Sequence, residues 1–160
     1  MSPSNLRTTE AKVLKSFLNK QGYFLNQLTI TKEEDEDEDN QFKVIGMGEK
    51  SGIYVVETYE VSYEKAKQNI MEHLWAFKPS FLRRHIRYHI NLTDESIDKL
   101  CRIMQSEANQ IFQEILHINL LVSNAIEEDG LGHFLNSYDG SSHEFSKFDN
   151  NYVIYRIDDV

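Results

Sequence analysis

The sequence predicts an α+β fold in which a small antiparallel β-meander of three or four strands packs on a long helix and on shorter helices. Over residues 93–128, apolar residues recur three or four positions apart, which is the spacing of a continuous buried face on one long helix or on two helices that abut. Over residues 24–61, segments rich in β-branched residues alternate with turn residues, as in consecutive strands. A chain of 160 residues is the size of one domain, so we expect residues 1–160 to form a single domain.

The first half of the chain predicts one helix followed by three strands. Thr8 or Thr9 can cap the helix, and Gly22 lies near its end. Its predicted core face consists of Ala11, Val13, Leu14, Phe17 and Leu18. The strands are predicted over residues 24–32, 41–47 and 53–61, with a glycine-containing turn between the second and the third.

The second half predicts helices followed by a terminal strand. Ser62 is predicted to cap a second helix, which Pro79 ends because proline disfavours a helical conformation in the residue before it. Residues 80–90 predict another short helix, and Thr93 is placed to cap the long one. The middle of the long helix, residues 111–121, is apolar on most sides and is expected to be covered. The final predicted strand covers residues 152–157 and follows a turn at Asp149-Asn150-Asn151.

The net charge of −9 is concentrated in one place. Residues 33–39 are an unbroken run of seven acids, out of 26 acidic residues in the chain. Such a run repels itself and resists packing, so we predict a mobile, solvated acidic loop over residues 33–40. The rest of the chain is nearly neutral, which disfavours a DNA mimic that spreads carboxylates over a whole face.

Cysteine content and hydropathy indicate a cytoplasmic protein. The single cysteine, Cys101, cannot form an internal disulfide, and the first residues lack the apolar segment of a secretory signal. No apolar run approaches the roughly 18 residues of a membrane span. We therefore expect a soluble protein in a reducing compartment, with no membrane partner.

A basic segment is the first candidate binding site. No acidic residue occurs over residues 73–93, although the chain is acidic overall. If residues 80–90 are helical, Arg83 and Arg87 share one face, and such a pair of guanidinium groups can hold a phosphate or a carboxylate. The candidate binding residues are Lys78, Arg83, Arg84, Arg87 and Tyr88. The alternative interpretation is that these arginines pair with carboxylates elsewhere in the fold.

Metal binding has little support in the sequence. His85 and His89 have the four-residue spacing of a helical metal pair, but the neighbouring arginines disfavour a cation and no third ligand is evident. Cys101 lies on the inward side of the predicted long helix, as expected of a small core residue. We expect no metal and no cofactor.

The loop predicted over residues 130–145 is the second candidate site. His133 or His143 could serve as an acid or base with Asp139 as the orienting carboxylate, which would suit a hydrolase or a nuclease. The spacing matches no defined catalytic motif. The alternative is structural, with Asp139-Gly140 forming a tight turn in which the carboxylate binds nearby backbone amides.

Three segments of the second half carry a resemblance. They are EHLWAFKPSFL at residues 72–82, GLGHFLNSYDG at residues 130–140 and YVIYRID at residues 152–158. In these segments the chain resembles a group of small phage and phage-like proteins that has no established activity. This chain departs from the group after the YDG turn, where Ser141 and Ser142 stand in place of acidic residues. The resemblance implies a compact accessory protein carried by phages, and it implies no catalytic residue.

These observations lead to three functional hypotheses. The first is a small non-enzymatic interaction or regulatory protein that binds a protein partner, either from a host or a second copy of itself. It would use a sheet edge or apolar helical surface, and the resemblance suggests a counter-defence role. The second is an anion-, nucleotide- or nucleic-acid-binding module that uses the basic segment over residues 78–89. The third is a hydrolase or nuclease that uses His133, Asp139 and His143.

Overall fold

The computed structural model describes residues 3–22, 29–32, 41–45 and 51–158, and it confirms an α+β fold with an antiparallel sheet. The helices are α1 (Pro3–Lys20), α2 (Tyr59–Glu72), α3 (Pro79–Arg84), α4 (Asp94–Met104), α5 (Ala108–Ile115), α6 (Ile118–Asp129) and α7 (Leu131–Leu135). The strands are β1 (Thr29–Lys32), β2 (Gln41–Ile45), β3 (Gly52–Thr58), β4 (His143–Lys147) and β5 (Asn150–Asp158). None of the helices in these described ranges has both the length and the apolar character needed to cross a bilayer.

The chain divides into two compact units. Unit 1 comprises Met1–Tyr63 and Leu131–Val160, and unit 2 comprises Glu64–Gly130. In sequence, unit 2 is therefore an insertion between the two parts of unit 1. The single domain expected from chain length stays a prediction. The predicted acidic loop, residues 33–40, lies outside the described residues.

Unit 1 is built on a five-stranded antiparallel sheet in the order β1-β2-β3-β5-β4. The first three strands form the predicted meander, in which Phe42 of β2 pairs with Tyr54 of β3. The terminal strand β5 then pairs with β3, with Val56 opposite Ile154. Strand β4 lies at the edge of the sheet, and among the described strands it pairs only with β5.

Helix α1 covers one face of this sheet. Its buried residues are Val13, Leu14, Phe17 and Leu18, and they pack with Phe42, Val44, Tyr54, Val56, Tyr152 and Ile154 of three strands. Because side chains alternate along a strand, Tyr54 and Val56 face α1, whereas Val55 and Glu57 point to the opposite face. The predicted core face of α1 is confirmed, with Ala11 partly buried beside it. The helix begins at Pro3, earlier than the predicted cap at Thr8 or Thr9.

A buried carboxylate lies where β3 meets α2. Glu57 is only 2% exposed, and it accepts hydrogen bonds from the Ser62 hydroxyl and the Tyr155 hydroxyl, both at 2.8 Å. Ser62 was predicted to cap α2, but α2 begins at Tyr59, directly after β3. Ser62 therefore lies in the first turn of the helix, where its hydroxyl satisfies Glu57. Two hydroxyl donors offset the desolvation of this carboxylate.

The β4–β5 hairpin corrects the prediction for the end of the chain. The sequence placed a turn at residues 149–151 and a strand from residue 152, whereas Lys147 pairs with Asn150 and the loop consists of Phe148 and Asp149. Both loop residues have positive φ, 53° and 61°. A two-residue loop with this backbone matches the right-handed twist of the strands, but it normally favours Asn-Gly. Because Phe148 is not a typical turn residue, the sequence did not indicate a two-residue turn at this position.

In unit 2 the predicted long helix is divided among α4, α5 and α6. The first interruption is at Gln105, which has φ 51° and starts a short 3₁₀ turn. The second is at Leu116, which is extended because it forms an antiparallel β-bridge with Ile86. The apolar stripe is confirmed across both breaks by Ile97, Cys101, Ala108, Phe112, Leu116, Leu121, Val122 and Ala125, all of which are buried. Within the segment expected to be covered, however, Ile111 and Leu120 are exposed.

The turn at Phe148 predicts a stabilising substitution. We expect Phe148→Asn to raise the free energy of unfolding by about 1 kcal/mol, because asparagine tolerates the left-handed backbone better than a bulky side chain does. Phe148→Ala is the matched control, since it removes the same ring but keeps a β-carbon in the strained conformation. Urea unfolding of the three proteins measures the difference. An asparagine variant no more stable than the alanine variant would contradict this account of the turn.

Candidate functional site

The basic segment is helical only in its first part. Pro79 occupies the start of α3, where its missing N–H costs no hydrogen bond, and the helix ends at Arg84. His85 then leaves the helical conformation, and Ile86 joins the bridge to Leu116. The predicted helix over residues 80–90 is therefore too long. Arg83 and Arg87 do not lie one turn apart on a helix, because the β-bridge extends the chain between them.

Two of the candidate arginines pair with carboxylates. Arg83 lies 3.3 Å from Asp94, and Arg84 lies 3.5 Å from Glu128. All four side chains are about half exposed, so these ion pairs contribute little to stability. For these two arginines the alternative interpretation is correct, since they pair with acids of the same fold. No described carboxylate forms an ion pair with Lys78 or Arg87.

His85 is a core residue of unit 2. It is 2% exposed, its Nδ1 lies 2.8 Å from the Phe81 carbonyl oxygen, and its Nε2 lies 2.8 Å from the Asn124 side-chain nitrogen. A neutral imidazole that donates from Nδ1 and accepts at Nε2 satisfies both contacts. His89 is exposed, and its ring lies edge-on to Tyr88. Among the described residues, no three histidines, cysteines or acids are grouped as metal ligands.

The bridge between Ile86 and Leu116 creates a surface that the sequence did not predict. The Arg87 N–H donates to the Ile115 carbonyl at 2.9 Å, and the His117 N–H donates to the His85 carbonyl at 2.8 Å. These bonds place Arg87 beside the start of α6. The two segments line an open concavity of about 400 Å³. We call this region the α6 surface; it consists of Arg87, His117, Ile118, Asn119 and Leu120.

The α6 surface combines positive charge with exposed apolar groups. Leu120 is 55% exposed, and Ile118 lies beside the same concavity. Lys67 of α2 reaches the same place, because its Nζ donates to the Asn119 side chain at 3.2 Å. Neither segment joined by the bridge contains an acid, since residues 73–93 and residues 115–126 lack Asp and Glu. The surface is therefore suited to a ligand that is both anionic and apolar.

In unit 1, Asn136 organises the segment that contains the second candidate site. Asn136 is 8% exposed, and its Oδ1 accepts from the N–H groups of Tyr138 at 2.7 Å and Asp139 at 3.0 Å. Its Nδ2 donates to the Ser141 carbonyl at 2.6 Å and to Asp139 at 2.8 Å. Asp139 in turn accepts from the Ser141 N–H at 3.0 Å. The YDG segment is thus a turn folded around one buried amide.

Close backbone packing explains two features of this turn. A β-carbon on Gly132 of α7 would lie 2.3 Å from the Ser141 carbonyl carbon, so only glycine fits there. The Ser137 hydroxyl also hydrogen-bonds the Ile157 carbonyl oxygen of β5. Helix α7 and the turn are therefore held against each other and against the end of the sheet.

The three predicted catalytic residues are only partly brought together. Asp139 and His143 line a small cavity of about 180 Å³, whereas His133 does not. His143 packs on the Phe17 ring, with 5.0 Å between ring centroids. The carboxylate of Asp139 holds the turn, as the structural alternative proposed, and no described hydrogen bond joins it to either histidine. The hydrolase hypothesis stays a prediction without an assembled acid–base pair.

The same cavity contains groups that the sequence analysis missed. Arg156 is 8% exposed, its guanidinium lies 3.7 Å from the Tyr138 ring centre and 5.5 Å from the Tyr54 ring centre, and it donates to the Ser51 carbonyl at 2.5 Å. The period-two pattern of YVIYRID contains the signal, because Arg156 falls on the face of Tyr152 and Ile154. The cavity is polar but small. Arg156 is held there by contacts with the rings of Tyr54 in the sheet and Tyr138 in the turn.

Cys101 lies in the interior of unit 2, as predicted. It is 7% exposed on α4. Burial raises the pKa of its thiol, and the nearby Asp98 carboxylate raises the pKa further. Both effects disfavour the thiolate, which is the nucleophilic form. This environment is that of a core cysteine.

Comparison of the chain with protein families, with curated proteins and with solved structures finds no match. Its function therefore has to be argued from its own geometry.

The Asn136 network predicts a large effect on stability. We expect Asn136→Ala to lower the free energy of unfolding by about 2 kcal/mol, because it leaves the Tyr138 and Asp139 N–H groups and the Ser141 carbonyl without their partner. Ser146→Ala is the control, since it removes an exposed hydrogen bond to Asn151 in the same unit. Urea unfolding measures both variants. Equal effects would show that Asn136 does not organise the turn.

The raised pKa of Cys101 predicts a pH dependence of stability. The folded state favours the neutral thiol. The contribution of Cys101 to the free energy of unfolding is therefore complete below the pKa of the unfolded thiol, and it is lost as the pH rises through the pKa of the folded thiol. We expect the free energy of unfolding to fall more steeply in the wild type than in Cys101→Ala between about pH 7 and pH 9.5, across the ordinary thiol pKa of about 8.5. Tyr59, whose pKa is raised by burial and by Glu144, is present in both proteins. The free energy of unfolding is measured with urea at each pH. If it fell equally steeply with pH in both proteins, the raised pKa of Cys101 would be contradicted.

Proposed function

We propose that the protein is a non-enzymatic binding protein whose α6 surface holds an acidic, partly apolar segment of a protein partner. The observation that supports this proposal is the meeting of two acid-free segments at the bridge between Ile86 and Leu116. There Arg87 lies beside the exposed Leu120, and Lys67 is bonded to Asn119. Exposed apolar groups beside cations are the composition expected where a charged amphipathic segment docks.

The charge and the composition of the α6 surface favour a protein over a nucleic acid. Nucleic-acid binding draws on several phosphate contacts, typically 6 to 10 for a duplex-binding protein. The described cations at the α6 surface are Arg87 and Lys67, because Arg83 and Arg84 pair with acids. An acidic protein segment needs fewer cations, since Leu120 and Ile118 supply apolar contact.

The hydrolase hypothesis has less support than binding. Asp139 is committed to a turn that Asn136 organises, and His133 lies outside the cavity that Asp139 and His143 share. A general base must reach its proton, and an orienting carboxylate must reach the base. An accessory or counter-defence role, which the resemblance to phage proteins suggests, is part of the same proposal.

A defined peptide tests the proposal. The probe is a fluorescein-labelled helical peptide with glutamates on one face and leucines on the other, and binding is measured by fluorescence anisotropy at low and moderate salt. We expect Arg87→Glu and Leu120→Asp each to weaken binding by about tenfold, the change produced by 1.4 kcal/mol. Lys99→Glu is the matched control, because Lys99 is exposed on α4 outside the α6 surface, and we expect it to change binding less than about twofold.

Two further probes separate the alternatives. A peptide with lysine in place of each glutamate should bind more weakly than the acidic one, since it meets Arg87 and Lys67 with like charge. A single-stranded oligonucleotide serves as the second probe. If it bound in an Arg87-dependent way while the acidic peptide did not, the nucleic-acid hypothesis would replace this one. Equal affinity for the acidic and the basic peptide would contradict the proposal, provided that circular dichroism shows the variants to be folded.

A further inference from the structure

Strand β4 forms an exposed edge of the sheet in unit 1. Among the described strands it pairs only with β5. Its residues His143, Glu144 and Ser146 are exposed, whereas Phe145 and Lys147 are partly buried. An edge strand presents a row of backbone N–H and C=O groups to which another strand can bind.

The two-residue loop between β4 and β5 fixes which backbone groups of β4 point outward. Lys147 and Asn150 close this loop, so they form a hydrogen-bonded pair. In an antiparallel ladder such pairs alternate with pairs that are not hydrogen-bonded, whose backbone groups point away from the neighbouring strand. Glu144 and Ser146 belong to the second kind. Their N–H and C=O groups therefore face the outer edge of the sheet.

Two polar side chains of β4 are directed away from this outer edge. Native sheets often protect an edge with lysine. Here Lys147 is turned toward α1, because its Nζ donates to the Ser16 hydroxyl at 2.7 Å. The Ser146 hydroxyl donates to the side chain of Asn151 on β5 at 2.6 Å. These contacts hold both side chains away from the outward backbone groups.

A groove lies between the end of α1 and the first part of β4. Its volume is about 420 Å³. The aromatic part of its wall consists of Phe17 and Phe145, whose rings meet edge-on with 6.1 Å between centroids. Lys20 also lines the groove, and its Nζ lies 6.0 Å from the centre of the Phe145 ring. The groove therefore offers apolar contact and a positive charge beside the outward backbone groups.

The two faces of β4 would select different side chains of an added strand. Phe145 faces α1, and Glu144 lies on the opposite face because side chains alternate along a strand. A partner residue opposite Phe145 would lie against the aromatic wall, so an apolar side chain fits there. The next partner residue on that face would be near Lys20, which favours an acid. The residue between these two would face Glu144, which favours a base.

From these observations we infer that β4 binds an extended segment of a protein partner as an additional antiparallel strand. The segment carries an apolar, a basic and an acidic residue in that order. In strand addition of this kind, main-chain hydrogen bonds give affinity and pockets for alternate side chains give specificity. The inference goes beyond the proposed function, because it concerns unit 1 and an extended segment, whereas the α6 surface belongs to unit 2.

Methylated peptides test the backbone pairing with the unaltered protein. The probe is a fluorescein-labelled peptide, TTVKETT, in which valine is opposite Phe145, lysine opposite Glu144 and glutamate opposite His143. We expect N-methylation of its lysine to weaken binding at least about tenfold, because it removes the N–H that donates to the Glu144 carbonyl. N-methylation of its valine is the matched control, since that N–H points away from β4, and it should weaken binding less than about threefold. Fluorescence anisotropy measures all three peptides.

Hydrogen exchange of single amides locates the bound peptide. The N–H groups of Phe145 and Lys147 are bonded to β5, whereas those of Glu144 and Ser146 point outward. Saturating peptide should slow exchange at Glu144 and Ser146 at least about tenfold, and at Phe145 and Lys147 by a smaller factor. A series of ¹H–¹⁵N spectra in deuterated water measures these rates.

Matched variants separate this inference from the proposed function. Ser146→Pro removes an outward N–H and no bond to β5, and we expect it to weaken peptide binding at least about tenfold. Ser146→Ala keeps that N–H and should change binding less than about twofold. Lys20→Glu should weaken binding of this peptide and strengthen binding of a peptide with lysine in place of the glutamate. Arg87→Glu should leave binding to β4 unchanged, since Arg87 lies on the α6 surface.

Three results would overturn the inference. The first is an equal effect of the two N-methyl groups. The second is slowed exchange confined to amides outside β4. The third is a dimer of the free protein that Ser146→Pro dissociates in sedimentation equilibrium, because a second copy of the chain would then occupy the edge.

Discussion

Strand β5 lies between β3 and β4 and forms hydrogen bonds with both. Its pairing with β3, with Val56 opposite Ile154, closes a chain segment that includes all of unit 2. Tyr152 and Ile154 complete the sheet face that α1 covers, while Val153 and Tyr155 occupy the opposite face. Without this pairing the sheet would separate into the β1–β2–β3 meander and the β4–β5 hairpin. A two-stranded hairpin is at best marginally stable in water, so unit 1 depends on this long-range contact.

Several polar groups in unit 1 are satisfied only because β5 is in place. Tyr155 donates to the buried Glu57, and the Ile157 carbonyl accepts from Ser137. Arg156 lies between the rings of Tyr54 and Tyr138. Each contact joins the terminal strand to a segment that is distant in the sequence. The polar residues of the YDG region are therefore explained by the closure of the fold, which weakens the case for catalysis there.

The sequence was sufficient where structure depends on local periodicity, and insufficient where it depends on distant contacts. The core face of α1 and the apolar stripe through Phe112 were predicted, because the three- and four-residue spacing of apolar residues is visible in the sequence. Strand β4 was missed, since HEFSK is a mostly exposed edge strand without an apolar alternation. The sequence allowed two abutting helices but not three, and it did not locate the breaks at Gln105 and Leu116, because the three- and four-residue spacing of apolar residues continues across them. The basic segment was identified, but its true neighbours at the start of α6 depend on the bridge at Ile86.

The α6 surface lies where the predicted long helix is interrupted. A continuous helix satisfies its own backbone and presents a convex surface, so it offers few concave sites. At Leu116 the chain is extended instead of helical, and it forms the β-bridge with Ile86. This bridge places Arg87 beside Leu120. The positive φ of Gln105 likewise ends α4. A left-handed backbone at a residue other than glycine costs free energy that an ordinary helical turn would avoid. The buried helical stripe forms the core of unit 2, and the break at Leu116 forms the concave α6 surface.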